Sequence, residues 1–268
     1  MEKIRIGFIG AGNMGFAIIK GIVSSDIASS AEIFAFDPDC SKIEGLREFG
    51  VTPCGSEQEL VNACKYVFLA VKPQIFGLVL EKIADMVTPL HVLVSIAAGI
   101  TAEYIASKTV DDAKVVLAMP NTPLLLGQGA SAISRNAMTG DEEFEVVCNI
   151  FGSCGITAIL PENKMKEIIA VNASSPAFIY LFAKGFIEYA QEQGIDEISA
   201  KRLFSQTLIG SAKMLTDTGF TADELIKQVS SPGGTTLAGL EELYNGNLTG
   251  VVKNACEACT RRAYELSK

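Results

Sequence analysis

A glycine-rich segment near the start of the chain has the spacing of a phosphate-binding turn. Gly10, Gly12 and Gly15 follow the apolar run Ile4–Ile9 and open a helical pattern, which is the setting in which G-x-G-x-x-G binds a dinucleotide. The first glycine permits the tight turn, the second lets the backbone approach a pyrophosphate, and the third allows close packing of helix and strand. N–H groups at the helix start would face the phosphates. A purely structural glycine turn is the alternative interpretation.

An acidic residue follows at the offset expected for ribose recognition. Asp37 ends the second apolar run, 22 residues after Gly15. A carboxylate at about this offset accepts hydrogen bonds from the hydroxyls of the adenosine ribose and would repel a 2′-phosphate. The segment Asp37-Pro38-Asp39 also fits a turn in which the carboxylate accepts a backbone N–H. The two interpretations are compatible, and they favour NADH only weakly over NADPH.

Later apolar runs also end in residues that could contact a cofactor. Lys72 follows Tyr66–Val71, where it could meet a phosphate or ribose or remain a solvated loop lysine. Ala97–Ala98 end the next run, and their small side chains would let a flat nicotinamide ring lie against the backbone. Asn121 follows Lys114–Met119 and could contact the nicotinamide end. Open α/β sheets bind ligands at the carboxyl ends of their strands, so we expect these residues at one edge.

The most distinctive segment lies far along the chain, at Ser230-Ser231-Pro232-Gly233-Gly234-Thr235-Thr236. Two glycines after a proline, followed by two hydroxyl residues at a helix start, would present free N–H groups to a carboxylate or phosphate. A helix–helix turn capped by Ser231 or Thr235 is the alternative. Taken alone, the segment favours the capped turn.

The elements that must position these residues fall into two kinds. Short apolar runs alternate with helical patterns over the first 160 or so residues, which predicts a doubly wound parallel sheet of Rossmann type. From there on the patterns are helical only, beginning with a long helix over Lys164–Gln193 that Pro176 should kink. We therefore expect a dinucleotide-binding domain over residues 1–162 and an all-helical domain over residues 163–268, and hence a fold of class α/β with a helical C-terminal part.

The composition of the chain limits which partners and which kinds of catalytic site we expect. The 268 residues carry a formal net charge of −9, which disfavours nucleic acid and acidic membranes as partners. His91 is the single histidine, so a mechanism that needs two histidines and a histidine-rich zinc site are excluded, and we expect no metal. Seven irregularly spaced cysteines are typical of reduced thiols. With no signal peptide or apolar span in the sequence, we expect a soluble, cytoplasmic protein.

All of these motifs occur together, in the same order along the chain, in a known family of proteins. The chain resembles bacterial pyrroline-5-carboxylate reductases over essentially its full length, through the glycine turn at residues 10–15, Val71-Lys72-Pro73-Gln74, Ser95–Ile100, Pro120-Asn121-Thr122-Pro123 and Ser231–Thr236. The resemblance implies reduction of the imine of 1-pyrroline-5-carboxylate to L-proline by NADPH or NADH, in the last step of proline biosynthesis. It also implies that the helical domain forms an intertwined homodimer, or an oligomer built from dimers, with each active site completed between two subunits.

Site residues follow from the same resemblance, position by position. The resemblance implies a substrate carboxylate loop at Gly233, Gly234, Thr235 and Thr236, with the Thr236 hydroxyl directed at the ring as the catalytic group, and a further substrate contact at Glu162. The implied cofactor contacts are Ile9, Gly10, Ala11, Gly12, Asn13, Met14, Asp37, Ser56, Ala70, Val71, Lys72, Pro73, Ile96, Ala97, Ala98 and Asn121.

Two other classes of protein share parts of this pattern. A β-hydroxyacid or 6-phosphogluconate-type dehydrogenase has a similar plan but needs a base such as lysine on the long helix, and no lysine lies between Lys166 and Lys184. A non-catalytic NAD(P)-binding regulator would not need the complete Ser231–Thr236 loop. A protonated cyclic imine is already electrophilic, so its reduction suits a chain with one histidine.

Overall fold

The computed structural model describes residues 3–266, and its sheet has eight strands. The strands are β1 (Ile4–Ile9), β2 (Ala31–Phe36), β3 (Thr52–Pro53), β4 (Tyr66–Leu69), β5 (Val92–Ser95), β6 (Lys114–Met119), β7 (Gly129–Arg135) and β8 (Gly155–Ile159). The α-helices are α1 (Asn13–Val23), α2 (Cys40–Arg47), α3 (Glu57–Ala63), α4 (Pro73–Ile83), α5 (Ala102–Lys108), α6 (Asp141–Gly152), α7 (Ser175–Glu192), α8 (Glu197–Asp217), α9 (Ala222–Gln228), α10 (Thr235–Asn245) and α11 (Leu248–Leu266).

The strand order is β3-β2-β1-β4-β5-β6-β7-β8, and β1 to β6 are parallel to one another. The order of the first six strands is that of the doubly wound dinucleotide-binding folds, in which the carboxyl ends of β1 and β4 flank the ligand crevice. The predicted fold class, a Rossmann-type sheet followed by helices, is confirmed.

Apolar side chains cover both faces of the sheet, which explains the near-continuous apolar runs of its central strands. Along β4, Phe68 belongs to the cluster on one face, while Val67 and Leu69 belong to the cluster on the other. The ring of Phe68 stacks on that of Phe8 in β1, with 4.6 Å between centroids. Strands buried on both faces need apolar residues at every position, as predicted for the parallel sheet.

One edge of the sheet departs from the predicted parallel arrangement. β7 pairs antiparallel with β6, and β8 then runs parallel to β7. The connection between β6 and β7 contains only a short 3-10 helix, Thr122–Leu126, closed by Gly127 at a φ of 68°. A connection this short cannot cross the sheet, so the chain reverses. The sequence patterns also missed β3, which has two exposed residues, and β8, which is mostly exposed.

The long helix predicted over Lys164–Gln193 is wrong in its first part. A 3-10 turn at Glu162–Lys164 and a π-helical turn at Ala170–Ser174 precede α7, which is α-helical from Ser175. Pro176 has no N–H to donate to the carbonyl four residues earlier, and its ring crowds that carbonyl. The wider π turn removes this conflict, and the kink expected at Pro176 stays a prediction.

The chain forms two compact units. One runs up to Pro176 and also includes the chain from Ala258 onwards, and the other is formed by Ala177–Glu257. The second unit is entirely helical and contains α8, α9 and α10, as the helical patterns in this part of the sequence predict. The functional division at residues 162 and 163 remains a prediction. None of the helices described in the structure is both long and apolar enough to cross a membrane.

Candidate dinucleotide and substrate sites

The three glycines of the turn between β1 and α1 have different surroundings. Gly10 has a φ of 99°, and a Cβ there would lie 2.5 Å from the carbonyl oxygen of Ala70. A Cβ at Gly15 would lie 2.5 Å from the carbonyl oxygen of Gly10. At Gly12 a Cβ would meet nothing within 4 Å. Packing therefore requires Gly10 and Gly15, whereas Gly12 borders open space that a ligand can enter.

The start of α1 is suited to an anion. Gly12 is the N-cap residue, and no side chain caps the helix. The first N–H groups of an uncapped helix have no intrahelical acceptor and carry the positive end of the helix dipole. The structure therefore supports a phosphate-binding role for this turn over a purely structural one.

Asp37 lies directly after β2, beside the glycine turn, and its side chain is buried. Its Oδ2 accepts the N–H of Ala11 at 2.9 Å, and its Oδ1 accepts the N–H of Asp39 at 2.9 Å. The Nζ of Lys42 contacts both oxygens, at 3.2 and 3.3 Å. The turn interpretation of this segment is thus confirmed, and the carboxylate still borders the adjoining cleft.

A cleft of about 750 Å³ opens at the carboxyl ends of β1, β2 and β4. Seven of the sequence-predicted cofactor residues line it, and the structure therefore brings them together: Ile9, Gly10, Gly12, Asp37, Ala70, Val71 and Lys72. Residues that no sequence motif singled out complete the lining: Phe36, Pro38, Lys42, Glu57, Ile75, Leu78, Val79, Glu81 and Lys82. Several of these lie on α4, whose half-exposed Ile75 and exposed Leu78 supply an apolar wall. Apolar residues on the outer side of a helix that follows a predicted binding loop were the signal available in the sequence.

Several predicted cofactor residues do not line this cleft. The Oγ of Ser56 accepts the N–H of Glu59 at 3.1 Å and caps α3. Pro73 is the first residue of α4, where the missing N–H of proline is tolerated. Ala11, Asn13 and Met14 belong to the glycine turn and the start of α1 without lining the cleft. Their roles as cofactor contacts stay predictions.

The carboxyl ends of β5 and β6 border a second, much smaller cavity, lined by Ala97, Met119 and Glu162 among others. Ile96 and Ala98 are neighbours of Ala97 in the chain but do not line this cavity. The Oε1 of Glu162 accepts the N–H of Ala102 at 2.9 Å, at the start of α5. Glu162 therefore has a structural partner, and its role as a substrate contact stays a prediction.

Asn121 and Asn172 form a polar cluster where β6 and β7 separate. The Oδ1 of Asn121 accepts the N–H of Ala130 at 2.9 Å, while the Nδ2 of Asn172 donates to the carbonyls of Ala130 and Met119 at 3.0 and 2.5 Å. The side-chain amide of Asn121 also donates, at 3.4 Å, to the backbone carbonyl of Asn172. Pro176, four residues later, has no N–H to donate to that carbonyl. The amide of Asn121, predicted to contact nicotinamide, is thus engaged within the protein.

Replacing Asn172 with alanine should lower the free energy of unfolding by about 2–4 kcal/mol, because one buried and one partly buried carbonyl lose this donor. Urea denaturation measures this change. Asn62→Ala, on the exposed side of α3, is the matched control and should change the stability by less than about 0.5 kcal/mol. Equal stabilities for the two variants would show that the Asn172 amide does not hold the π turn to the sheet.

The segment Ser231–Thr236 belongs to the helical unit. Gly233 has a φ of 70°, and the N–H of Gly234 donates to the carbonyl of Ser231 at 2.9 Å. Gly234 is the N-cap of α10, and no side chain caps the helix, so the capping expected of Ser231 or Thr235 is wrong. Thr235 and Thr236 form the first, exposed helical positions. The segment offers N–H groups and hydroxyls to a carboxylate.

His91 lies immediately before β5, at the end of the sheet opposite the cleft. Its Nδ1 accepts the N–H of Thr88 at 3.0 Å. The other ring nitrogen, Nε2, must then carry the proton and donate to the carbonyl of Val61 at 3.1 Å. Both ring nitrogens hydrogen-bond within the fold, so His91 has a structural role.

Comparisons with known proteins agree with this geometry. A family model described as pyrroline-5-carboxylate reductase dimerisation matches residues 162–266, and one described as NADP oxidoreductase, coenzyme F420-dependent, matches residues 5–99. Pyrroline-5-carboxylate reductase from Escherichia coli is 35% identical, with the whole of both chains covered. Pyrroline-5-carboxylate reductase 3 from Danio rerio is also 35% identical, covering 98% of this chain and 92% of the relative.

Solved structures extend the similarity to three dimensions. A pyrroline carboxylate reductase from Plasmodium falciparum with NADP bound has a TM-score of 0.90 and 30% identity, covering 99% of this chain and all of that one. The 1-pyrroline-5-carboxylate reductase from Streptococcus pyogenes has the same TM-score and identity, covering 98% and 99%. The chain therefore belongs to the pyrroline-5-carboxylate reductase family.

Proposed function

We propose that this chain reduces 1-pyrroline-5-carboxylate to L-proline with NADPH or NADH, as the last step of proline biosynthesis. The geometric observation that carries the proposal is the uncapped start of α10 at Gly233–Thr236, which suits a carboxylate. Full-length similarity to named pyrroline-5-carboxylate reductases supports it independently. The cleft beside Gly12 fits the dinucleotide, because a Cβ at Gly12 would meet no protein atom within 4 Å, whereas a Cβ at Gly10 or Gly15 would lie 2.5 Å from a carbonyl oxygen.

The residues of this chain then act mainly by binding and orientation. NAD(P)H, when bound, supplies a hydride, which forms the new C–H bond at the imine carbon while the C=N π pair moves to nitrogen. The protonated imine thereby becomes a neutral amine, so no strong base is needed. We propose that the N–H groups of Gly233–Thr236 hold the carboxylate and that the Thr236 hydroxyl hydrogen-bonds the ring nitrogen. Such placement is catalysis by proximity and orientation.

A purified-protein assay tests the proposal. NAD(P)H absorbance should fall when 1-pyrroline-5-carboxylate is added and should stay constant without it. Oxidation of a β-hydroxyacid with NAD(P)⁺, and no reduction of the pyrroline, would instead indicate the alternative dehydrogenase. The lack of any lysine between Lys166 and Lys184 speaks against that outcome. Dinucleotide binding with neither reaction would indicate the non-catalytic regulator.

We also propose that residues 163–268 form a homodimer and hold the substrate, while residues 1–162 bind the dinucleotide. The surface of the helical unit supports this assembly. Twenty of its large hydrophobic side chains are exposed, and Ala200 is the only buried hydrophobic residue described between 177 and 257. A helical unit that buries so little of its own apolar surface needs a partner, and a second copy supplies the matching surface. The expected cytoplasmic location and the absence of nucleic-acid partners stay predictions.

The dimer proposal predicts that Leu203→Glu on α8 shifts the protein towards monomer. Leu203 is 69% exposed within one chain, and a charge there would be buried in the interface. Light scattering after gel filtration should give at least twice the chain mass of 28.5 kDa for the parent and a smaller mass for the variant. Leu90→Glu, at a residue 76% exposed in the other unit, is the matched control and should leave the mass unchanged. A monomeric parent would contradict the proposal.

A further inference from the structure

We infer that Asp37 makes this chain select NADH over NADPH, because backbone N–H groups hold its carboxylate where a 2′-phosphate would have to bind. The inference rests on the proposed function only for the presence of a dinucleotide site. It goes beyond that function, which leaves the choice of nicotinamide cofactor open, and it differs from what the relative with bound NADP would suggest.

The carboxylate of Asp37 cannot turn away at low cost. The side chain is 8% exposed, and its two oxygens accept the N–H groups of Ala11 and Asp39, both at 2.9 Å. Ala11 is itself buried, so rotation of Asp37 would leave a buried N–H without its partner. A buried N–H without an acceptor is costly, because it has given up its hydrogen bonds to water and gained none in return. The negative charge therefore stays in place whichever cofactor enters.

The same contacts fix Asp37 relative to the glycine turn. The N–H of Gly10 donates to the carbonyl of Phe36 at 2.8 Å, and the next N–H, that of Ala11, donates to Asp37. In this fold an acidic residue at the end of β2 accepts the ribose 2′-hydroxyl when the pyrophosphate lies on the turn. The backbone donors use one acceptor site on each oxygen, and the ammonium of Lys42 contacts both oxygens at 3.2 and 3.3 Å. Because this ammonium is exposed, ribose hydroxyls can take its place on the carboxylate when the cofactor binds.

The cations that line the cleft are equal in number to its acidic residues, so they leave no net positive charge for a 2′-phosphate. Lys42 is paired with Asp37, and Lys82 with Glu57 at 2.7 Å. Among the described residues that line the cleft there are three lysines, three acidic residues and no arginine. A 2′-phosphate would add about two negative charges beside Asp37. Like charges placed together in a binding site lower the affinity by more than about a factor of ten.

Direct binding of the two cofactors tests the inference without any substrate. We would titrate the protein with NADH and NADPH, following the cofactor fluorescence, for the parent, Asp37→Asn and Asp37→Ser. The parent should bind NADH at least ~tenfold more tightly than NADPH. Both variants should reduce this ratio by at least ~tenfold, chiefly through tighter NADPH binding. Asp39→Asn, which removes the same charge two residues away and keeps a residue able to cap α2, should leave the ratio unchanged.

Lys42→Met provides a second test that leaves Asp37 in place. This change removes the cation that partly neutralises the carboxylate, so the preference for NADH over NADPH should increase. NADPH binding by the parent that is as tight as NADH binding, or tighter, would overturn the inference. An NADH preference that folded Asp37 variants leave unchanged, or that Lys42→Met reduces, would also overturn it. Thermal melting checks that the variants fold. If the parent bound neither cofactor, the dinucleotide site and the proposed function would fail together with this inference, whereas tighter NADPH binding would overturn the inference alone.

Discussion

Replacing Gly12 with valine should weaken NAD(P)H binding at least ~100-fold while the fold keeps its stability. The backbone at Gly12 has φ −69° and ψ −176°, an extended conformation that any residue adopts, and a Cβ there meets nothing within 4 Å. The valine side chain would instead fill the space through which the backbone approaches the pyrophosphate. We expect the free energy of unfolding to change by at most about 1 kcal/mol, chiefly from the helix cap.

Gly15→Val separates binding from folding within the same turn. A Cβ at Gly15 would lie 2.5 Å from the carbonyl oxygen of Gly10, and backbone cannot move aside as a flexible side chain can. We expect this variant to lose about 1–3 kcal/mol of stability or more. Fluorescence titration with NAD(P)H and urea denaturation measure the two effects. Unchanged cofactor affinity in a folded Gly12→Val protein would show that the dinucleotide does not cross the turn at this residue.

Replacing Thr236 with alanine should lower kcat about 100-fold while NAD(P)H binding persists. The loss of one hydrogen-bond donor to the reacting group typically has an effect of this size. Thr236 is exposed in the first turn of α10, so its hydroxyl can be removed without a cavity, and alanine favours the helix. Stopped-flow or steady-state assays with 1-pyrroline-5-carboxylate measure the change.

Thr236→Ser is the matched control for this prediction, because it keeps the hydroxyl and removes only the methyl group. It should retain most of the parent kcat. If alanine and serine at this position gave the same turnover as threonine, the hydroxyl would have no part in the reaction. A fall in kcat that serine does not restore would point to the shape of the threonine side chain rather than to its hydrogen bond.

Local sequence determined a large part of this protein. Near-continuous Val, Ile and Phe runs such as Tyr66–Leu69 predict strands buried on both faces, and they are buried. A capping box formed by Thr221 and Glu224 opens α9, and its hydrogen bonds join residues only three apart in the sequence. The glycine turn, Asp37 and Lys72 were predicted to share one edge, because carboxyl ends of parallel strands meet there, and all three border one cleft.

Other features depend on residues that are distant in the chain, and the tertiary structure alone decided them. Asn172 reaches Met119 and Ala130 only because the helical turn packs against the sheet. The wall of the cleft formed by α4 carries no motif. Even the conformation of Asp37 depends on Ala11, 26 residues earlier. Motifs determine which chemistry is available, because they act through neighbours in sequence; packing decides which atoms meet, because it brings together residues that sequence separates.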